Sequence, residues 1–420
     1  MLDLALFGGV PEVSRPIKAF NSIGHLERLA VGKVFDRSEP LSGFFGSPQP
    51  GFFGGTEVLL LEEDWKERFG SHYAISVNSA TSGLIAAMGA IGVSHGDEVI
   101  VPPYTMSATA VAPIFYGGIP VFVDIEKDYF CIDVDAVSKA ITNRTKAIIA
   151  VNLFGHPAQL KQLRNLADQC GIYLIEDNAQ AVSAEENGVM SGHIGHIGIY
   201  SFNVHKHIQS GEGGMCVTED RELAKRLQLI RNHGENVVDW LDVKNISNII
   251  GYNFRQTEIG AAIVRSQLRR IDELVGRAES IAEKLSQELR GLPGIIVPKI
   301  RDGCRHNFFM WTARFNTIDF GCTRERFAEA IRAEGVPLST GYVKPIYRLP
   351  IFRESLATVK DGFQFNLTGQ KYTDGICPVT EQMHEQEVIQ FQPVSWDPDE
   401  KQLSQIITAF HKVYECSAKL

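Results

Sequence analysis

The residues of this chain best suited to covalent chemistry fall between Ile172 and Gly214. The apolar run IYLIE ends in a carboxylate at Asp177. A second run, IGIYSF, ends near Ser201, and a lone lysine follows at Lys206. A lysine just past a buried strand can hold an aldehyde as a Schiff base. An acid at the end of the neighbouring strand can pair with a protonated pyridine nitrogen, so that the ring draws electrons toward itself. Burying such an acid is costly unless it is paired, so Asp177 implies a cationic partner. Taken singly, each residue has a plainer reading: a solvated surface lysine, and a helix N-cap at a strand-to-helix turn.

Two further clusters bear on the chemistry. N-S-A-T-S-G at 78–83 stands directly before an apolar helix pattern and offers hydroxyls and backbone N–H groups to a phosphate. Ordinary N-capping uses the same groups, and both roles can hold at once. His193, His196, His205 and His207 lie close in sequence and raise the question of a metal. Zinc prefers a tetrahedral set with cysteine or carboxylate help, whereas these flank a glycine-rich loop and the lysine, so no metal is expected. A dinucleotide fold would need G-x-G-x-x-G after the first strand, where the chain has NSATSG.

The elements that must carry these residues alternate. YAISV, DEVIVP, PVFVDI, KAIIAVNLFG and IYLIED are apolar strand patterns. The helical patterns SGLIAAMGAIG, SATAVAPIFYG and PAQLKQLRNLADQCG fall among them. Continuous apolar strands separated by helices predict an α/β fold with a mostly parallel sheet covered on both faces. Ligands bind beyond the carboxyl ends of such strands, where residues 78–82, 104–107, Asp177 and Ser201 all fall. After RELAKRLQLIRNHG, the stretch 251–291 reads as a turn and one long helix bridging into a second unit of short strands (IIVPKI, FFMWTARF) and helices. Residues 1–55 are irregular and rich in glycine, proline and phenylalanine, which suits either docking on a second subunit or a strap over the same domain.

A chain of 420 residues can bury a large core and form two unequal domains. A net charge of -9 without a basic run argues against general nucleic-acid binding. Seven cysteines, an odd count without paired spacing, suit a reducing cytoplasm. No basic region precedes an apolar stretch at the N-terminus, so no signal peptide is expected. Ala74 to Val93 is uncharged and long enough to suggest a membrane span, but its polar and glycine residues fit strand, turn and buried helix better.

The ordered set of motifs resembles the DegT/DnrJ/EryC1/StrS family of pyridoxal phosphate-dependent sugar aminotransferases. The match is carried by E-D-x-A-Q (Glu176, Asp177, Ala179, Gln180), S-F-x-x-x-K (Ser201, Phe202, Lys206) and G-E-G-G (Gly211 to Gly214). The resemblance implies a fold-type I aminotransferase. Residues 1–250 would form the large cofactor-binding domain with an N-terminal strap, and 251–420 a smaller C-terminal α+β domain.

It also implies roles residue by residue. Lys206 would be the Schiff-base lysine, since counting from Ser201 places it, and neither His205 nor His207, in the slot that relatives catalysing dehydration fill with histidine. Asp177 would meet the ring nitrogen and Gln180 the ring hydroxyl. Ala80, Thr81, Ser82 and Ser201 would hold the phosphate. Met106 falls in the ring-stacking slot usually held by an aromatic residue, with Tyr104 as a substitute. GYNFR at 251–255 would reach across a homodimer to the partner's phosphate through Asn253 and Arg255. Tyr104, His306, Trp311 and Tyr347 would contact substrate, although relatives often have histidine where Tyr347 stands.

The implied reaction moves an amino group from glutamate or glutamine to a keto group on a sugar or cyclitol. A dehydratase of the same fold, or a non-catalytic protein retaining it, are the alternatives.

Overall fold

The computed structural model describes residues 3–37, 39–354 and 369–420. Its larger sheet has seven strands: β1 (Tyr73–Val77), β2 (Glu98–Val101), β3 (Ile119–Phe122), β4 (Thr145–Val151), β5 (Tyr173–Asp177), β6 (Ile197–Ser201) and β7 (Gly214–Thr218). They lie in the order β1-β7-β6-β5-β4-β2-β3. The five strands from β6 to β3 run parallel, while β7 is antiparallel to both β6 and β1. The expectation of a mostly parallel α/β sheet is met.

Strand alternation divides the core between the two faces. Ile199 of β6 and Cys216 of β7 pack with α3 (Ala80–Ala90) and with Leu227 and Ile230 of α5 (Arg221–Arg231). Tyr200, Met215 and Val217, one residue out of phase, face Trp65 of α2 (Thr56–Phe69) and Val264 of α6 (Glu258–Leu268). Helix α3 is buried almost throughout, which explains the uncharged stretch that suggested a membrane span. Among the described residues no helix is long and apolar enough to cross a membrane. The remaining large helices are α1 (His25–Asp36), α4 (Leu160–Cys170), α7 (Ile271–Leu289), α8 (Arg324–Ala333) and α9 (Glu400–Glu415).

A second, antiparallel sheet orders β8 (Ile295–Ile296), β9 (Trp311–Phe315), β11 (Val388–Phe391) and β10 (Ser339–Thr340). Trp311, Phe315, Phe327 and Phe410 form the centre of its core, covered by α7, α8 and α9. While Phe44 and Phe52 pack on the large-sheet side, the first part of the N-terminal segment lies against this unit. Leu4, Val13 and Ile17 enter its core, and the Glu334 carboxylate accepts from Ala5 N (2.8 Å) and Glu12 N (3.0 Å).

Two local expectations differ from the structure. The expected single helix at 251–291 is two, α6 and α7, broken at Arg270. Gln267 near the end of α6 exchanges side-chain hydrogen bonds with the backbone of Gln209, 3.0 and 2.6 Å, and so holds the tail of the lysine loop, while Arg270 leaves helical geometry at φ -124°. The pattern SATAVAPIFYG gives only the short helix Ala108–Val111 followed by the 3-10 turn Ala112–Tyr116, since Pro113 cannot donate in a longer helix.

Candidate active site

Register brings three strand ends together. Gly214, the first residue of β7, pairs with Val77 at the end of β1 on one side and with Ser201 at the end of β6 on the other. The chain then turns from Val77 into α3, whose N-cap Ser79 accepts from Ser82 N at 3.0 Å. Glycine at 214 follows from this convergence. A Cβ there would lie 2.8 Å from Ala80 N, Ser79 C and Tyr200 O, all backbone atoms that cannot yield. The start of α3, with its free N–H groups and the hydroxyls of Ser79, Thr81 and Ser201, forms a cup for an anion.

Between β6 and β7 the chain makes a compact loop. Phe202 N donates to Gly213 O (2.8 Å), Val204 N to Gly211 O (3.0 Å), Ser210 N to Phe202 O (2.9 Å) and Lys206 N to Asn203 O (2.9 Å). Gly213 takes φ +152°, which glycine alone adopts without strain. These bonds turn Lys206 inward, so that its Nζ stands 4.5 Å from the centroid of the Phe309 ring. Burial lowers the lysine pKa to about 8, and Asp177 works in the opposite direction.

Asp177 ends β5, beside β6, and is buried. Its Oδ2 accepts from Thr109 Oγ1 (3.0 Å) and its Oδ1 from Ala179 N (3.1 Å). Burial raises its pKa, opposed by the Ala179 N–H, the Thr109 hydroxyl and the Lys206 charge. It forms no close ion pair among the described residues. A carboxylate so placed could take one more cationic hydrogen-bond donor.

These groups line one cavity of about 680 Å³. Of the residues singled out from the sequence, Ala80, Thr81, Met106, Asp177, Ser201 and Lys206 line it together. Gln180 stands behind the lining: its Oε1 accepts from Phe154 N (2.8 Å) and its Nε2 donates to the hydroxyl of Tyr342 (2.9 Å), which does face the cavity. Ser82 is also set back, its hydroxyl engaged with Asn78 Oδ1 (2.6 Å), and Ser79 takes the place expected of it.

The expected substrate contacts lie elsewhere, each for a packing reason. Tyr104 is fully buried edge-on to Phe154 and Tyr342. His306 is buried, with its ring stacked on Phe308 at 4.1 Å. Trp311 is buried in the second core and donates to Ser286 Oγ (2.9 Å). Tyr347 is buried against Phe122, its hydroxyl on Glu381. The stretch 306–311 does reach the site, but through Phe309 and Met310.

Asn253 and Arg255 do not line this protomer's cavity. They bond to each other (2.7 Å), while Phe254 O accepts from Asn78 N (2.8 Å) and ties their loop to the cup. Tyr342 and Gln392, which no motif marked, complete the second wall. Thr109 could have been found, since it lies three residues beyond Met106 in the segment already singled out.

The two histidines that flank the lysine differ in burial. His205 is exposed at the cavity rim, whereas His207 is buried with Nε2 on Asn307 O (3.0 Å), and burial lowers its pKa to about 3. No group of metal-ligating side chains that could hold an ion occurs among the described residues.

Comparison with known proteins matches residues 50–391 to the model of the DegT/DnrJ/EryC1/StrS aminotransferase family. The chain is 35% identical to GDP-perosamine synthase of Vibrio cholerae, over 71% of this chain and 79% of that one. It is 30% identical to a putative L-glutamine:3-amino-2,3-dideoxy-scyllo-inosose aminotransferase of Streptomyces kanamyceticus, over 98% and 96% of the two chains. Among solved structures it resembles S. venezuelae DesV in complex with a ketimine intermediate, with TM-score 0.77 and 29% identity over 94% and 95% of the two chains.

Proposed function

Since this chain belongs to the DegT/DnrJ/EryC1/StrS aminotransferase family and is a pyridoxal phosphate-dependent aminotransferase, we propose that it aminates a keto group on a sugar or cyclitol. Glutamate or glutamine is the donor in this reading. The observation that carries it is the Lys206–Asp177 pair, an amine and a buried acid facing one cavity from adjacent strand ends. The nearly full-length similarity to a protein named as a scyllo-inosose aminotransferase keeps cyclitols beside sugars as acceptors.

Bound pyridoxal phosphate supplies the electron sink that lets a proton leave the carbon bearing the amino group. Asp177 holds the ring nitrogen protonated, and the hydrogen bonds from Thr109 and Ala179 keep its carboxylate aimed. Ser79, Thr81, Ser201 and the start of α3 take the phosphate, while Met106 and Ala179 line the cavity as apolar cover for the ring. Lys206 carries the aldehyde. Once released, its amine would carry a proton from the donor's α-carbon to the cofactor carbon, and in the acceptor half-reaction from that carbon to the acceptor's former carbonyl carbon.

A pKa of about 8 suits that second task, because an amine titrating near the working pH can both accept and give the proton. The second wall, with Phe309, Met310, Tyr342 and Gln392, offers apolar surface and neutral hydrogen-bonding groups to the acceptor.

In this reading the enzyme works as a homodimer, with Asn253 and Arg255 of one copy serving the phosphate of the other. The seven cysteines are all free, in keeping with a cytoplasmic setting. The test is a two-step assay. L-glutamate or L-glutamine should bleach the aldehyde chromophore and release its 2-oxo acid, and a panel of ketosugars and cyclitol ketones should then restore the chromophore. A donor step with no acceptor in the panel would remove the sugar and cyclitol reading. No donor step at all would remove the transaminase chemistry.

A further inference from the structure

Lys206 and Asp177 both lie where the chain leaves the sheet, so strand register does not by itself set the distance between amine and acid. A single residue bonds to both connections. Asn307 is fully buried on the approach to β9. Its Nδ2 donates to Gln180 O (3.0 Å) and Val182 O (2.8 Å), in the turn that follows Asp177. Its Oδ1 accepts from Phe309 N (3.0 Å), which fixes the ring that faces Lys206 Nζ.

The Asn307 backbone completes the set. Its N–H donates to Gly155 O (3.1 Å), and its carbonyl accepts from Nε2 of His207, the residue after Lys206 (3.0 Å). Every donor of the amide is used. Space around it is closed: a Cβ on Gly155, itself at φ +99°, would stand 1.8 Å from Oδ1.

We infer that Asn307 is the positioning residue of the site. It ties the lysine loop, the turn after Asp177 and the Phe309 ring into one arrangement, and so sets where the amine stands relative to the acid while touching neither. The inference rests on the reading of Lys206 as the cofactor lysine. An aromatic face stabilises a cation above it, so loosening Phe309 removes support from the protonated nitrogen of residue 206. A displaced amine also transfers its proton more slowly.

The experiment compares Asn307→Ala and Phe309→Leu with the unaltered holoenzyme in three readouts. These are the pH midpoint of the visible band of the lysine-bound cofactor, the single-turnover rate with L-glutamate and L-glutamine, and the melting temperature. Asn307→Ala should lower the single-turnover rate about ten- to hundredfold, with the half-saturating donor concentration little changed. It should also move the midpoint downward by about half a unit. Phe309→Leu should move the midpoint in the same direction with little change in melting temperature.

A lower melting temperature with rate and midpoint intact would make Asn307 a structural staple only and overturn the inference. Should Asn307→Ala fail to fold, an unmoved midpoint in Phe309→Leu overturns it equally. Failure of the underlying reading shows separately, as a lysine-bound chromophore that persists in Lys206→Ala.

Discussion

The two walls of the cavity are built on different principles. One belongs to the large sheet: the cup at the start of α3, Asp177, Ser201 and Lys206. Apart from Lys206, which the loop after β6 carries, its groups are backbone N–H donors, short hydroxyls and a carboxylate at strand ends, placed by hydrogen-bonded register. The other wall belongs to the second sheet and its connections: Phe309, Met310, Tyr342 and Gln392. These are long side chains from loops and strand margins, aimed by packing rather than by register. The first wall should therefore hold chemistry common to a family, while the second should determine which acceptor is used.

Substitutions on the two walls test that division. The largest effect is expected at the lysine: Lys206→Ala should bind cofactor without a covalent link and lose about ten-thousand-fold or more in turnover, measured by visible spectrum and steady-state rate. Asp177→Asn keeps the shape but removes the charge that holds the ring nitrogen protonated. It should cost about a thousandfold in kcat, with the protein's melting temperature maintained or raised, because a buried charge is gone. Gly214→Ala forces a methyl against the backbone of Ser79, Ala80 and Tyr200. It should destabilise by about 1–3 kcal/mol and weaken cofactor binding in a fluorescence titration.

The smallest effect on rate should come from the second wall. Tyr342→Phe removes the hydroxyl that accepts from Gln180 Nε2 and should change kcat/KM for the acceptor about three- to tenfold, leaving the donor half-reaction near normal. A donor half-reaction as damaged as the acceptor half would erase the distinction between the walls.

A pH experiment sharpens the large-sheet side further. In cofactor-free protein the folded lysine titrates near 8, below its ordinary value of 10.5, so the unfolded chain holds the extra proton between those values. The resulting cost to stability is complete below pH 8 and fades as pH rises toward 10.5. Cofactor-free Lys206→Met should accordingly be more stable than the parent by about 1–3 kcal/mol at pH 7. Denaturant melts should show that gap closing above pH 8.

The same contrast explains what could be read without coordinates. Asp177 and Lys206 were legible because an apolar run ending in an acid, or followed by a lone lysine, is a local pattern. The cup was legible because small hydroxyl residues before an apolar helix form one wherever they occur. Trp311, His306 and Tyr347 were expected at the site because the resemblance puts substrate contacts in their two segments, yet each side chain turns into a core instead. Phe308 has a positive φ of 49°, and beside it the outward-facing positions become Phe309 and Met310. Tyr342 sits after a strand of only two residues, too short to show any alternation. The break between α6 and α7 falls at Arg270, a position that no glycine or proline marks in the sequence.

By itself, the sequence determined the α/β class, the family motifs and the pair of groups able to do the chemistry. Each of these is a local consequence of side-chain type and periodicity. Only the tertiary structure decided which residues form the second wall, where the N-terminal segment docks, and that Asn307 meets the connection after the acid through its side-chain amide and the one carrying the amine through its carbonyl. Those outcomes turn on side-chain direction and on contacts between distant segments, where close packing, rather than any local pattern, chooses the arrangement.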